Sequence, residues 1–326
     1  MTVVDIHTHM ISKEWLDLLE RESGTFVVAD APGGARAIYR GSTPFMTLTE
    51  PMSDYGLRLE AMDKAGVDVA VVSLTCPSVY WGTEETSVRA ARLINDQMAE
   101  AQGAHPDRIR YLATLPWQHP SRAVEELERA CGLGAVGVMV LANIDGESLT
   151  EARFEPVWEA IDRRALPVLV HPATPPGLEH LDIDRFHLVW SVGFPMDTTL
   201  ALARMIMDGF FDRYRHLKII GSHAAGCLPF LLGRLDAGPR FFAAAREKLS
   251  VAPATFASRI YADAITYSPA ALKLTIDTFG PDNVLYGSDF PHMCGRMDEM
   301  LDLVDTLQPT EVKRVRATNA ERIFAL

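Results

Sequence analysis

The chain has 326 residues, 48% hydrophobic and 23% charged, close to globular averages, which excludes disorder and fibrous repeats. A formal net charge of -12 with no offsetting basic run argues against a nucleic-acid or anionic-membrane partner. No apolar stretch approaches the roughly 20 residues of a membrane span, no basic region precedes an apolar one at the amino terminus, and the four cysteines form no C-x-x-C pair; the expected compartment is the cytoplasm.

The first apolar run, residues 3 to 9, closes on His7 and His9. Side chains two apart on a strand share a face, so both imidazoles point the same way. That spacing alone is a weak signal. Further β-branched or apolar runs follow at 68 to 75, 109 to 116, 135 to 142, 167 to 173, 217 to 224, 260 to 266 and 284 to 291, which makes eight. Continuous runs without strict alternation suit parallel strands buried on both faces.

Helical patterns separate them. Val88, Ala91, Ile94, Met98 and Ala101 fall on one helical face, as do Phe154, Val157, Trp158 and Ile161. Gly103 and Gly132 read as stop signals, and Pro156 sits early enough in its helix to be tolerated. Eight strands alternating with helices predict an α/β fold, a (β/α)8 TIM barrel forming a single domain over 1-326. A doubly wound sheet is the alternative, but no G-x-G-x-x-G turn supports it. Two connections exceed simple crossovers. Residues 11 to about 56 predict an insertion with a short hairpin over the barrel mouth, and 174 to 195 predict a partly helical cover.

Active sites of such barrels lie at the carboxyl ends of the strands. Those ends carry His7 and His9 on strand 1, His171 on strand 5, His223 on strand 6 and Asp289 on strand 8. Neutral imidazoles and a carboxylate suit zinc, with Mn2+ or iron as alternatives where carboxylate and water dominate. Strand 4 ends in Leu141-Ala142-Asn143, without a lysine to bridge two metals, so one divalent ion is expected. His223 either ligates that ion or acts as general base toward a water beside it. His105, His180, His187 and His216 read as surface residues, and His119 and His292 stay outside the ligand set.

These residues carry a resemblance. Val-Asp-Ile-His-Thr-His at the amino terminus, VLVHP over 168 to 172, GFPMDTT over 193 to 199, Ser222-His223 with FLLGRLD over 230 to 236, and LYGSDFP over 285 to 291 resemble the amidohydrolase-related decarboxylases, the group of aminocarboxymuconate semialdehyde, γ-resorcylate and isoorotate decarboxylases. The resemblance implies metal-dependent, non-oxidative release of carbon dioxide from a small aromatic or dienoic carboxylate, with no organic cofactor. It implies His7, His9, His171 and Asp289 as ligands and His223 as the proton-handling residue, with Asp289 a second candidate for delivering the proton. It further implies a homodimer in which Arg234 is donated across the interface to the substrate carboxylate, and Trp190 as a pocket wall.

Departures leave the substrate open. The segment 41 to 52 lacks the second arginine of the semialdehyde enzyme, Met46 or a neighbour standing in its place, and Cys76 and Glu50 fall about where the isoorotate enzyme has polar groups. The rival activities are hydrolysis of an amide, lactone or ester by the same water, and ligand sensing without turnover.

Overall fold

The structure, a computed structural model, describes residues 2–31, 34–40, 43–173, 177, 180–183 and 185–326. Eight parallel strands succeed one another around a barrel: β1 (Val4–His9), β2 (Val69–Ser73), β3 (Ile109–Thr114), β4 (Gly137–Leu141), β5 (Pro167–His171), β6 (Lys218–Gly221), β7 (Ile260–Asp263) and β8 (Val284–Leu285). Each lies inside one of the eight apolar runs. Beyond β8 the chain returns to β1: Ile6 N donates to Tyr286 O at 3.1 Å and His9 N to Phe290 O at 2.7 Å. Those bonds close the ring. Every residue of β4 and β5 is buried, which is why these strands read as unbroken apolar runs.

The long helix Glu84–Ala104 starts where the Thr83 hydroxyl accepts the Thr86 N–H at 3.2 Å. It buries Ala91, Ile94, Met98 and Ala101 of the predicted stripe, and it runs one residue past Gly103. The helix Glu155–Arg163 carries Pro156 in its first turn and buries Val157, Trp158 and Ile161. Trp158 packs on Trp117 and Phe210 with ring centres 4.8 and 5.0 Å apart, joining three connections in one aromatic cluster.

The insertion is larger than a hairpin. It holds the helix Lys13–Glu22 and three antiparallel strands, Phe26–Asp30, Arg36–Arg40 and Thr43–Thr47. Its last segment is tied to the barrel mouth by the Thr49 hydroxyl, which donates to Pro291 O at 2.9 Å. Within the predicted cover, 174–176, 178, 179 and 184 lie outside the described residues. The remainder includes a π-helical turn, Val189–Gly193, that runs into the helix Phe194–Met207. Among the described residues no helix is long and apolar enough to cross a membrane.

Candidate metal centre

Strand ends bring the predicted residues together. One ring nitrogen or carboxylate oxygen from each of His7, His171, His223 and Asp289 lies within 4.8 Å of the others, and His9, Asp289 and His292 form a second such group around the same aspartate. His7 Nε2 is 3.1 Å from His9 Nε2, and His9 Nε2 is 3.1 Å from Asp289 Oδ1. The His171 ring centre is 5.2 Å from that of His7 and 4.8 Å from that of His9.

Three of these imidazoles are oriented by their other nitrogen. His7 Nδ1 donates to Asp263 Oδ2 at 2.6 Å, His171 Nδ1 donates to Pro172 O at 2.9 Å, and His9 Nδ1 lies 3.2 Å from Ser73 Oγ. With Nδ1 protonated, Nε2 of His7 and His171 presents a lone pair to the centre. The Nε2 atoms of His7 and His9 approach to 3.1 Å, close enough for both to reach one cation. Tetrahedral zinc with Zn–N bonds of about 2.0–2.1 Å sets its nitrogens about 3.3 Å apart, and the His7–His9 spacing of 3.1 Å fits two nitrogens on one ion.

The electrostatics of His9, His171 and Asp289 agree. Burial pushes His9 down to about 3 and His171 well below its ordinary value, so both stay neutral, as metal ligands must. Burial raises the Asp289 carboxyl, but hydrogen bonds and charge from His223, His292 and His9 outweigh it and hold Asp289 ionised, well below the usual range. For His7, burial is outweighed by Asp263, which raises it.

Several positions at the site adopt the left-handed backbone region that ordinary side chains avoid, His223 and Asp289 among them. His223 has φ 51 and Asp289 φ 59. Such strain clusters where a site over-determines its residues. Close packing supports both ligand strands: a Cβ on Gly287 would meet His7 Cβ at 2.8 Å, and one on Gly295 would meet Asp289 O at 2.1 Å. His223 Nε2 is 3.5 Å from Asp289 Oδ2.

Three contributors escape sequence reading. Asp263 ends β7 as His171 ends β5, so the strand-end rule reaches it, although no histidine marks it. Ser73 ends β2 in the same way. His292, placed outside the ligand set, packs its ring 5.1 Å from that of His9, with Nε2 3.0 Å from Thr75 Oγ1. His119 lies apart, 3.7 Å from Glu84.

The two predicted substrate contacts are placed differently. Trp190 is partly exposed at the mouth, its ring 5.8 Å from that of Tyr267; Tyr267 donates to Cys294 O at 3.1 Å, and the Cys294 thiol faces Asp289 Oδ2 at 3.8 Å. Arg234 is exposed on the helix Leu228–Phe241, with no ion pair among the described residues. Met46 is buried in the three-stranded sheet opposite Ile38.

The amidohydrolase family profile matches residues 4–326. The chain belongs to the amidohydrolase family. This family member is 26% identical to the 2-amino-3-carboxymuconate-6-semialdehyde decarboxylase of Dictyostelium discoideum, over 99% of the chain and 91% of the relative. It is 31% identical to the 6-methylsalicylic acid decarboxylase of Penicillium expansum, over 76% of the chain and 78% of the relative. Among solved structures, a mutant 5-carboxyvanillate decarboxylase from Novosphingobium aromaticivorans, holding manganese and 3-methoxy-4-hydroxy-5-nitrobenzoic acid, superposes with a TM-score of 0.83 at 25% identity, covering 100% of this chain and 97% of that one.

Proposed function

We propose that this amidohydrolase family member is a metal-dependent, non-oxidative carboxy-lyase. It decarboxylates a small aromatic or dienoic acid that carries a hydroxyl or amino group beside the carboxylate. The observation that carries the reading is the convergence of His7, His9, His171 and Asp289 on one mouth with His223 facing Asp289. The named relatives, a methylsalicylate, an aminocarboxymuconate and a carboxyvanillate decarboxylase, supply the substrate class.

The imidazole-rich donor set favours Zn2+, with Mn2+, as in the Novosphingobium enzyme, as the second choice. When bound, the ion would fix the carboxylate and stabilise developing negative charge. The bond between carbon and carboxylate breaks, its electron pair stays on carbon, and a proton must arrive there as carbon dioxide leaves. His223, whose Nε2 lies 3.5 Å from Asp289 Oδ2, is the residue that carries the proton to that carbon. Trp190 and Tyr267 wall the ring of the substrate. No organic cofactor takes part.

In this reading the protein is a cytoplasmic homodimer, each chain a single domain. Four free cysteines suit a reducing compartment. Phe230, 80% exposed, lies one turn before Arg234 on the same helix face, and Phe241 and Phe242 are 76% and 65% exposed nearby in sequence. A second copy covering these aromatics would carry Arg234 into the neighbouring mouth, where its fork suits a carboxylate.

The test is a metal-analysed preparation assayed on ortho-hydroxybenzoates, dienoic acids and aryl lactones. Expected is carbon dioxide release that stops on chelation, returns with Zn2+ or Mn2+ and is absent in His7→Ala. Lactone or ester hydrolysis without carbon dioxide would move the assignment to a hydrolase. Full activity in metal-free protein would sink the reading.

A further inference from the structure

Arg58, on the helix Tyr55–Ala65 that follows the insertion, is fully buried. Burial lowers its guanidinium only to about 10, so it is charged at neutral pH. Among the described residues it makes no ion pair within 4 Å. A buried charge is costly; Asp5, beyond ion-pair distance, offsets part of that cost and hydrogen bonds have to offset the rest.

Those bonds converge on the strand that carries the first two ligands. Arg58 Nη1 donates to Thr8 Oγ1 at 2.6 Å, Nη2 to His9 O at 2.5 Å and Nε to Met10 Sδ at 2.9 Å. The guanidinium also lies over the Phe290 ring, 5.1 Å from its centre. Thr8 passes the constraint on. Its hydroxyl accepts from Arg58 and donates to Phe290 O at 2.7 Å, the same oxygen that accepts His9 N at 2.7 Å. Thr8 sits between His7 and His9, and Phe290 follows Asp289, so one planar fork grips the backbone next to three of the four ligands.

We propose that Arg58 is a positioning residue for the metal centre: by clamping Thr8, His9 and Phe290 it fixes the distance between the β1 imidazoles and the Asp289 carboxylate. The inference rests on the metal reading above. A lysine cannot substitute, because an ammonium is a point charge with no fork to bond Thr8 and His9 together.

The experiment uses cobalt-substituted full-length protein, with Arg58→Met, Arg58→Lys and Thr8→Val beside the wild type. Three quantities are read: the affinity for Co2+ by chelator competition, the visible absorption band of the bound cobalt, and the melting temperature of the metal-free protein. Loss of orienting contacts around ligands costs about 10–100-fold in metal affinity, and that loss is expected for both Arg58 variants, with an altered cobalt band. Thr8→Val, which keeps the arginine, shifts both readouts in the same direction by less and serves if the Arg58 variants do not fold. A wild type that binds cobalt while folded variants match its affinity within about twofold, with an identical band, would overturn the clamp and leave the metal reading intact. Full recovery by Arg58→Lys would also overturn it, since charge alone would then suffice. A wild type that binds no cobalt would instead overturn the metal reading itself.

Discussion

Asp263 receives the Nδ1–H of His7 at 2.6 Å and with the same carboxylate caps the backbone N–H groups of His223, at 2.8 Å, and Ala224, at 2.9 Å. One fully buried group therefore fixes the tautomer of His7, a proposed ligand, and the left-handed turn that presents His223. Burial raises this carboxyl, but the His7 hydrogen bond and charge outweigh it and the net shift is downward. Asp263→Asn keeps one acceptor and turns an amide N–H toward backbone donors. A loss of metal affinity of about 10–100-fold is expected, larger for Asp263→Ala, measured by chelator competition with metal analysis. Unchanged affinity would mean that His7 is held by packing alone.

Gly295 gives the second expectation. An added Cβ would lie 2.1 Å from Asp289 O and 2.3 Å from its carbonyl carbon, both backbone atoms that cannot step aside. Gly295→Ala must shift Asp289 out of its φ of 59, at a cost of about 1–3 kcal/mol and at least tenfold in metal affinity. Gly103→Ala is the control, because nothing lies within 4 Å of its new methyl inside a helix. That change should be neutral or stabilise by up to about 1 kcal/mol. Equal melting temperatures for the two variants would refute the packing argument.

Asp197 predicts a pH dependence. Both its oxygens face Asn143 Nδ2, at 3.1 and 3.0 Å, and Oδ2 also accepts Ala173 N at 2.9 Å, so it ties the loops after β4 and β5 to the helix Phe194–Met207. Burial pushes its carboxyl up from 3.8 to about 6, the hydrogen bonds opposing without cancelling. The native state then binds its proton more tightly than the unfolded chain, so this contribution to stability falls as pH rises from 3.8 to about 6 and is constant above. In Asp197→Asn the titration is gone, and its melting temperature should gain on the wild type across that window. Parallel curves from pH 4 to 7 would count against the shift.

The barrel was legible because its strands are buried on both faces and leave unbroken apolar runs, and the five chemical residues were legible because the strand-end rule aligned His171, His223 and Asp289 with the His7–His9 pair. The third strand of the insertion was not, since Thr43–Thr47 contains Pro44, which reads as a break and is accommodated here because the strand lies at the edge of its sheet. His292 stays outside the ligand set in the sequence because it follows a strand end by a few residues rather than ending the strand. The turn after Asp289 folds back on the mouth, Gly295 N donating to His292 O at 2.9 Å, and no periodicity encodes such a return.

The placement of Arg234 yields a prediction about assembly. Within its own chain the side chain is solvent-exposed and unpaired among the described residues, so a substrate role requires a neighbouring subunit. Arg234→Met should then raise KM by about 10–100-fold, the worth of a charge-assisted hydrogen bond. His223→Ala should abolish turnover with substrate affinity largely kept. When the two variants are unfolded together, refolded as a mixture and assayed at substrate far below the raised KM of Arg234→Met, where both are nearly silent, a two-fold dimer pairs the intact His223 of one chain with the intact Arg234 of the other. One site in each mixed dimer is restored, and about a quarter of wild-type activity returns. If Arg234 served its own subunit, every site would keep one lesion and nothing would return. Sedimentation of the wild type as a monomer at assay concentration would remove the arginine from the site altogether.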